Sequence, residues 1–321
     1  MTTVLPIASG KGGVGKSLFC ANLGVTLARE GKTVLLVDLD LGGSNLHTCL
    51  GLSGSNRGIG HFIHRRVDRL EDLVIDTGRQ KLFMIPGDSL LPATANLPYF
   101  RKVKLLRELQ ALVADYIILD LGAGSSFNTV DFFLAAAGGA LVCTPETTSI
   151  LNAYSFLKSV CYRMLFRSFA PKSTERQMIH DFMTERIEGT DRSLACLVEK
   201  LSGCNAESAT AASRAIGALL PRVVLNMGRH SNDIAIGARL REIARRNLGV
   251  EVEYIGFLPA DELLRRSVIK RTPIVESHPE CGYANGIHAI ARTLIDSPVR
   301  SNPQLYEDDE DLTRLGEMIA E

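Results

Sequence analysis

Apolar residues run along this chain in short blocks separated by stretches of a different period. Val4 to Ala8, Thr33 to Val37, Leu82 to Ile85, Tyr116 to Leu119, Gly139 to Cys143 and Arg222 to Leu225 carry few polar interruptions. Such runs predict strands covered on both faces. Between them, apolar residues recur at three- and four-residue intervals over Leu18 to Arg29, Tyr99 to Ala111, Asn232 to Asn247 and Tyr283 to Ile295, the spacing of helices with one buried face. Strand and helix in alternation predict an α/β fold, doubly wound, with a mostly parallel sheet and helices on both sides. The alternation fails from about residue 166 to 220. There Ser173 to Ile187, Ser193 to Leu201 and Ala206 to Leu220 read as three helices in succession, broken at Gly189-Thr190-Asp191 and Gly203-Cys204-Asn205. The expected layout is one domain over 1–295 with a helical insertion near 166–220, followed by a tail over 296–321. The insertion is either an ornament of the fold or a subdomain on which a partner docks.

Chemistry gathers where the predicted strands end. The first strand runs into Gly10-Lys11-Gly12-Gly13-Val14-Gly15-Lys16-Ser17, and a helix comes next. A Gly-x-x-x-x-Gly-Lys-Ser run between strand and helix is a phosphate-binding loop, a P-loop. Its glycines let backbone N–H groups turn inward, and the helix start adds a positive dipole end. Lys16 is placed to reach the β- and γ-phosphates, and the Ser17 hydroxyl to ligate Mg²⁺. The strand ending at Val37 delivers Asp38 and Asp40, two carboxylates where open α/β sheets bind ligands. The strand ending at Leu119 delivers Asp120, the placement of a Walker B carboxylate that supports Mg²⁺ through water, and Gly122 and Gly124 come after it as a backbone hinge. His61 and His64 could share a helical face, but without a third ligand they read as surface or capping residues.

Bulk properties narrow the class without naming it. Hydrophobic residues make up 45% of the 321 and charged residues 22%, so a sizeable core is expected. The formal net charge is zero, which excludes a chain that binds polyanions by its overall charge. From Asp296 onward eight acids stand against two arginines, leaving that end six net negative and the rest six net positive. Leu312, Leu315, Met318 and Ile319 would share one face of a helix there, and its acidity argues against lipid anchoring. Seven scattered cysteines with no Cys-x-x-Cys pair are expected to be reduced thiols in the cytoplasm. No run is long and apolar enough for a transmembrane helix, and no signal-peptide pattern opens the chain.

The run Lys-Gly-Gly-Val-Gly-Lys-Ser, with its second lysine, resembles the deviant Walker A motif of the ParA/MinD family of dimerising ATPases. That resemblance spans about Met1 to Ile295 apart from the insertion. It implies that Lys11 reaches the partner subunit's phosphates in a homodimer held by ATP. It further implies that Asp38 supports the Mg²⁺ hydration shell and that Asp40 positions the attacking water. The nucleotide-binding set would then be Gly10 to Ser17 with Leu18, and Lys11, Lys16 and Asp40 would be catalytic. Ser17, Asp38 and Asp120 would serve the metal. Asn226, Pro259 and Asp261 match positions that line the adenine side. Pro145-Glu146-Thr147-Thr148-Ser149 with Tyr154 is similar to a segment of the FlhG/FleN branch at the dimer interface, so Glu146 would contact the opposite nucleotide. The function implied by the resemblance is that of an Mg-dependent ATPase switch, acting through a protein partner or activator to position or count a cellular structure, flagellum or division site. Three other readings stay open. Arg239, Arg241, Arg245, Arg246, Arg265, Arg266, Lys270 and Arg271 would serve non-specific DNA binding by a ParA-type partition ATPase, unless they are solvated helix faces. An iron–sulfur carrier lacks its Cys-x-x-Cys, and an adaptor without turnover would not need the intact acids.

Overall fold

The structure, a computed structural model, describes residues 2–54, 57–87, 97, 99–136, 138–184, 193–230 and 232–296. Eight strands form one sheet: β1 (Thr3–Ser9), β2 (Val34–Leu39), β3 (Ile75–Arg79), β4 (Leu82–Ile85), β5 (Tyr116–Ala123), β6 (Ala140–Cys143), β7 (Arg222–Gly228) and β8 (Glu253–Pro259). Their spatial order is β3-β4-β2-β5-β1-β6-β7-β8. Every described pairing is parallel except that of β3 with β4. β1 therefore sits between β5 and β6, where the chain crosses from one half of the sheet to the other. A ligand crevice opens at such a switch point.

Helices cover both faces. α1 (Lys16–Arg29), α2 (Leu46–Cys49), α3 (Ile59–Ile63), α4 (Tyr99–Ala111), α5 (Phe127–Phe133) and α6 (Thr147–Arg167) belong to the first part of the chain. The remaining helices are α7 (Thr174–Thr184), α8 (Leu194–Cys204), α9 (Ala206–Gly217), α10 (Asp233–Leu248), α11 (Glu262–Lys270), α12 (Ile274–Ser277) and α13 (Gly282–Asp296). One core joins residues of α3 to α10 to one side of the sheet, with Phe133 edge-on to Phe156 at 5.1 Å between centroids. The other core joins α1, α2 and α11 to α13 to the opposite side.

The parallel α/β layout holds, and four local expectations change. α1 is buried not along one stripe but from Phe19 through Ala28. α13 lies over its outer side, and the polar Asn22 is satisfied internally: its amide donates to the Leu18 carbonyl at 2.8 Å and its oxygen accepts the Val275 N–H at 3.2 Å. Edge strand β3 carries no periodic signal, because Ile-Asp-Thr-Gly-Arg holds one apolar residue and turns at Gly78 with φ +73°. β8 is legible in the sequence only at its end, around Phe257 to Pro259. Gly203, expected as a break, lies inside α8, which continues to Cys204 and stops at Asn205. Asn205 then caps α9, its side chain accepting the Glu207 N–H at 2.8 Å.

α6 runs unbroken for 21 residues to Arg167, so the three additional helices begin after it; α7 and α9 pack back on α6, and α8 packs on α7, α9 and α10. α7 is described to Thr184, short of the expected end at Ile187, and residues 185–192 lie outside the described set. So does the acidic tail with its expected helix over 311–320.

Candidate functional site

The ends of β1, β2, β5 and β7 converge on the P-loop. Two of its glycines, Gly13 and Gly15, adopt left-handed φ of +81° and +85°. That conformation is open to glycine and strained for other residues. Gly10 is needed for a different reason: a Cβ there would lie 2.3 Å from the backbone carbon and oxygen of Asn152 in α6. The loop is thus pressed against the first turns of α6, and Gly15 caps α1. Val14 is buried and anchors the loop, while Lys11, Gly12 and Gly13 are exposed and Gly10, Ser17 and Leu18 half-buried.

Register brings the acids together. Asp38 on β2 stands directly across from Asp120 on β5, and both are fully buried. The Lys16 ammonium donates to Asp120 Oδ1, which also receives the Cys20 thiol at 3.6 Å. Burial alone would lower the Lys16 pKa; the facing Asp120 carboxylate reverses that, and the net displacement is upward. Asp120 Oδ2 is buried with no hydrogen-bond partner among the described residues. A buried carboxylate oxygen left bare costs free energy, and a cation or its bound water is the group that would satisfy it. This orphaned oxygen, with Asp38 alongside, is the observation by which the donor set fits Mg²⁺.

Asp38 is held from three directions. The Ser44 hydroxyl donates to it at 2.7 Å, the Leu46 N–H at 3.2 Å and the Asp40 N–H at 3.1 Å. Burial first, and then the Asp120 charge, nevertheless push its carboxyl up to about 7. Gly87 closes over this cluster, since a Cβ there would fall 2.5 Å from Ser44 Oγ. Asp40 is only half-buried; its carboxylate accepts the Gly42 N–H at 3.4 Å and lies against Gly122. It is therefore an accessible carboxylate at the crest of the sheet, beside the glycine-bearing end of β5.

The other expected residues take varied places. Lys11 and Glu146 meet each other within the same chain, at 3.6 Å and both exposed. Pro259 ends β8, and Asp261 caps α11 by accepting the Leu263 N–H at 2.8 Å. Asn226 is buried against the P-loop at the end of β7. His61 closes a local turn, its ring Nδ1 accepting the Gly58 N–H at 3.4 Å, and no group of three or more His, Cys, Asp or Glu side chains is placed to hold a metal among the described residues. All seven cysteines are free thiols. No described helix is long and apolar enough to cross a membrane. Ser44, Gly87 and Cys20 are site residues that the sequence does not mark. The signal for Ser44, a hydroxyl six residues after an acid in a Gly-Gly-Ser turn, is too common to select.

A family model described as the CobQ/CobB/MinD/ParA nucleotide binding domain matches residues 5–274. The Antiactivator FleN of Pseudomonas aeruginosa is 25% identical over 304 residues, covering 94% of this chain and 89% of that protein. The Flagellum site-determining protein YlxH of Helicobacter pylori is 33% identical over 164 residues, 49% of this chain and 53% of that one. Among solved structures, the septum site-determining protein MinD complexed with Mg-ADP, from Pyrococcus horikoshii, superposes with a TM-score of 0.59 at 22% identity. The superposition covers 93% of this chain and 100% of that one.

Proposed function

The chain belongs to the CobQ/CobB/MinD/ParA nucleotide-binding family, and from that premise we propose that it is an ATP-driven dimerisation switch of the MinD/FlhG kind. One observation carries this most: a buried lysine–carboxylate pair, Lys16 with Asp120, lies beneath a left-handed glycine loop and leaves one carboxylate oxygen bare. That arrangement suits a site awaiting phosphate and its cation rather than a finished structural ion pair. In the proposed cycle Lys16 exchanges Asp120 for the β- and γ-phosphates of ATP. Asp40 holds the attacking water, whose oxygen bonds to the γ-phosphorus as the bond to the bridging oxygen breaks, giving ADP and phosphate. Ser17, Asp38 and Asp120 would hold Mg²⁺, which when bound neutralises charge developing on the transferred phosphoryl group. Lys11 leaves Glu146 and reaches the phosphates bound by the partner subunit, so that ATP holds the dimer together and hydrolysis releases it. The free thiols suit a reducing compartment such as the cytoplasm.

The flagellum site-determining role in YlxH's name supports the flagellum as the structure controlled here, and the septum site-determining role in the names of the MinD relatives supports the division site as the alternative. The test is the Asp40→Ala variant with ATP and Mg²⁺, measured by size-exclusion chromatography with light scattering. A persistent dimer with hydrolysis reduced at least about tenfold is expected; a monomer under those conditions would count decisively against the reading. A second reading, DNA partitioning, draws on α11, which exposes Arg265, Arg266 and Lys270, with Arg271 just beyond it. ATP-dependent binding to random-sequence DNA that weakens steeply with salt would favour it instead.

A further inference from the structure

The first turn of α5 comes just after the glycine-bearing end of β5, and it carries a hydroxyl that the capping of the helix does not require. Ser126 is the cap: its Oγ accepts the Thr129 backbone N–H at 3.2 Å. Any residue at 129 other than proline would supply that N–H. Thr129 nevertheless brings a side-chain hydroxyl to a position only 5% exposed, and its Oγ1 lies 2.9 Å from Ser126 Oγ.

That hydroxyl borders the same space as the Asp40 carboxylate. A Cβ at Gly122 would stand 3.5 Å from Asp40 Oδ1 and 3.7 Å from Thr129 Oγ1, so the two oxygens flank one spot beside the glycine. Residue 122 has no side chain to fill it. The P-loop runs alongside: the Gly124 N–H donates to the Ser9 carbonyl at 2.9 Å, and a Cβ at Gly12 would come 3.9 Å from that of Ala123. An accessible carboxylate and a buried hydroxyl thus meet across a gap next to the loop that takes phosphate.

We propose that Thr129 is a further catalytic residue, which accepts a hydrogen bond from the attacking water and orients it together with Asp40. This inference rests on the ATP-hydrolysis reading of the site. A hydroxyl has one proton to donate and two lone pairs to accept with. When the Thr129 hydroxyl donates to Ser126 Oγ, its own lone pairs stay available on the Gly122 side. A water that gives one hydrogen to Asp40 and the other to Thr129 has both protons engaged, which leaves its lone pairs for the phosphorus of a phosphate on the loop. With one acceptor alone, the water would turn about that single bond and meet phosphorus correctly only part of the time. In the step itself the water oxygen bonds to the γ-phosphorus, and the bridging oxygen leaves with ADP and the electron pair. The water's proton passes by way of Asp40 to a phosphate oxygen, and Thr129 neither gains nor loses one.

The experiment measures Mg-ATP hydrolysis by the full chain for wild type, Thr129→Val, Thr129→Ser, Asp40→Ala and the double variant Asp40→Ala with Thr129→Val. Thr129→Val keeps the shape and the capping N–H and removes the hydroxyl; if it does not fold, Thr129→Ala takes its place. Thr129→Val is expected to lower kcat about tenfold with KM for ATP within about twofold of wild type, and Thr129→Ser to recover kcat to within about threefold. Because both groups hold one water, adding Thr129→Val to Asp40→Ala should cost less than about twofold more. The same tenfold loss in that background, or a loss that Thr129→Ser does not recover, would overturn the inference by making Thr129 a packing residue. Unchanged kcat in Thr129→Val, or a change confined to KM, would overturn it as well. Wild type that neither hydrolyses ATP nor dimerises with it would remove the ATP reading before any variant is compared, and this inference with it.

Discussion

At the scale of single residues, the charges buried away from the P-loop are as consequential as those within it. Asp131 on α5 is 3% exposed and accepts from Lys102 at 2.6 Å and from Arg163 at 2.7 and 2.9 Å, tying α4 and α6 to α5. Burial would raise its pKa, but the hydrogen bonds of Arg163 and Lys102 and their charges pull it below the ordinary value. A carboxyl depressed in the folded state contributes stability that is present above its unfolded pKa of about 4 and lost as pH falls through the folded value. Asp131→Asn should therefore cost about 3–5 kcal/mol at neutral pH, because Lys102 is left buried and uncompensated. The difference between variant and wild type should shrink below about pH 4. Denaturant unfolding of both proteins from acid to neutral pH checks this. Nothing in the sequence links Asp131 to Lys102 or Arg163, since partners 29 and 32 residues away are chosen by packing, not by local pattern.

Between elements, the P-loop fits closely on α6. Gly10 meets the Asn152 backbone with no room for a methyl group, and backbone cannot step aside as a side-chain tip can. Gly10→Ala should push the loop off α6, lowering stability by about 1–3 kcal/mol and weakening nucleotide binding together. A thermal melt paired with a nucleotide titration reads both; full binding in a destabilised protein would show that the contact is only structural. The motif glycines are legible as a class, because a phosphate loop needs left-handed turns. Which glycine serves the turn and which serves the helix contact is not, because the second requirement comes from a helix more than a hundred residues on. The same distinction separates the strands. β2 and β5 are readable as apolar runs buried on both faces, whereas β3 pairs only with β4 at the sheet edge and needs no such run.

For the molecule as a whole, the helices after α6 share the main core. Leu197 of α8 belongs to the same cluster of buried residues as Leu225 of β7, Leu240 of α10 and Phe156 of α6. Ser208 of α9 donates to Glu175 of α7 at 2.8 Å, which fastens two of these helices to each other. Leu197→Ala should therefore lower the stability of the whole protein by about 2–5 kcal/mol, in a single unfolding transition. Calorimetry showing an added low-temperature transition would mean that these helices melt alone. The sequence by itself determined the class of fold, the glycine loop with its phosphate-binding motif and the three acids around it. Those features are local: a strand's apolar run, a glycine spacing and an acid at a strand end each carry their meaning within a few residues. Only the tertiary structure decided which acid is held by Ser44, which oxygen of Asp120 is left bare, that Lys11 rests on Glu146 and that Asn226 grips Val14. Each of those depends on strand register or on chain segments that meet only when the sheet is complete, and pairings of that kind leave no period to read.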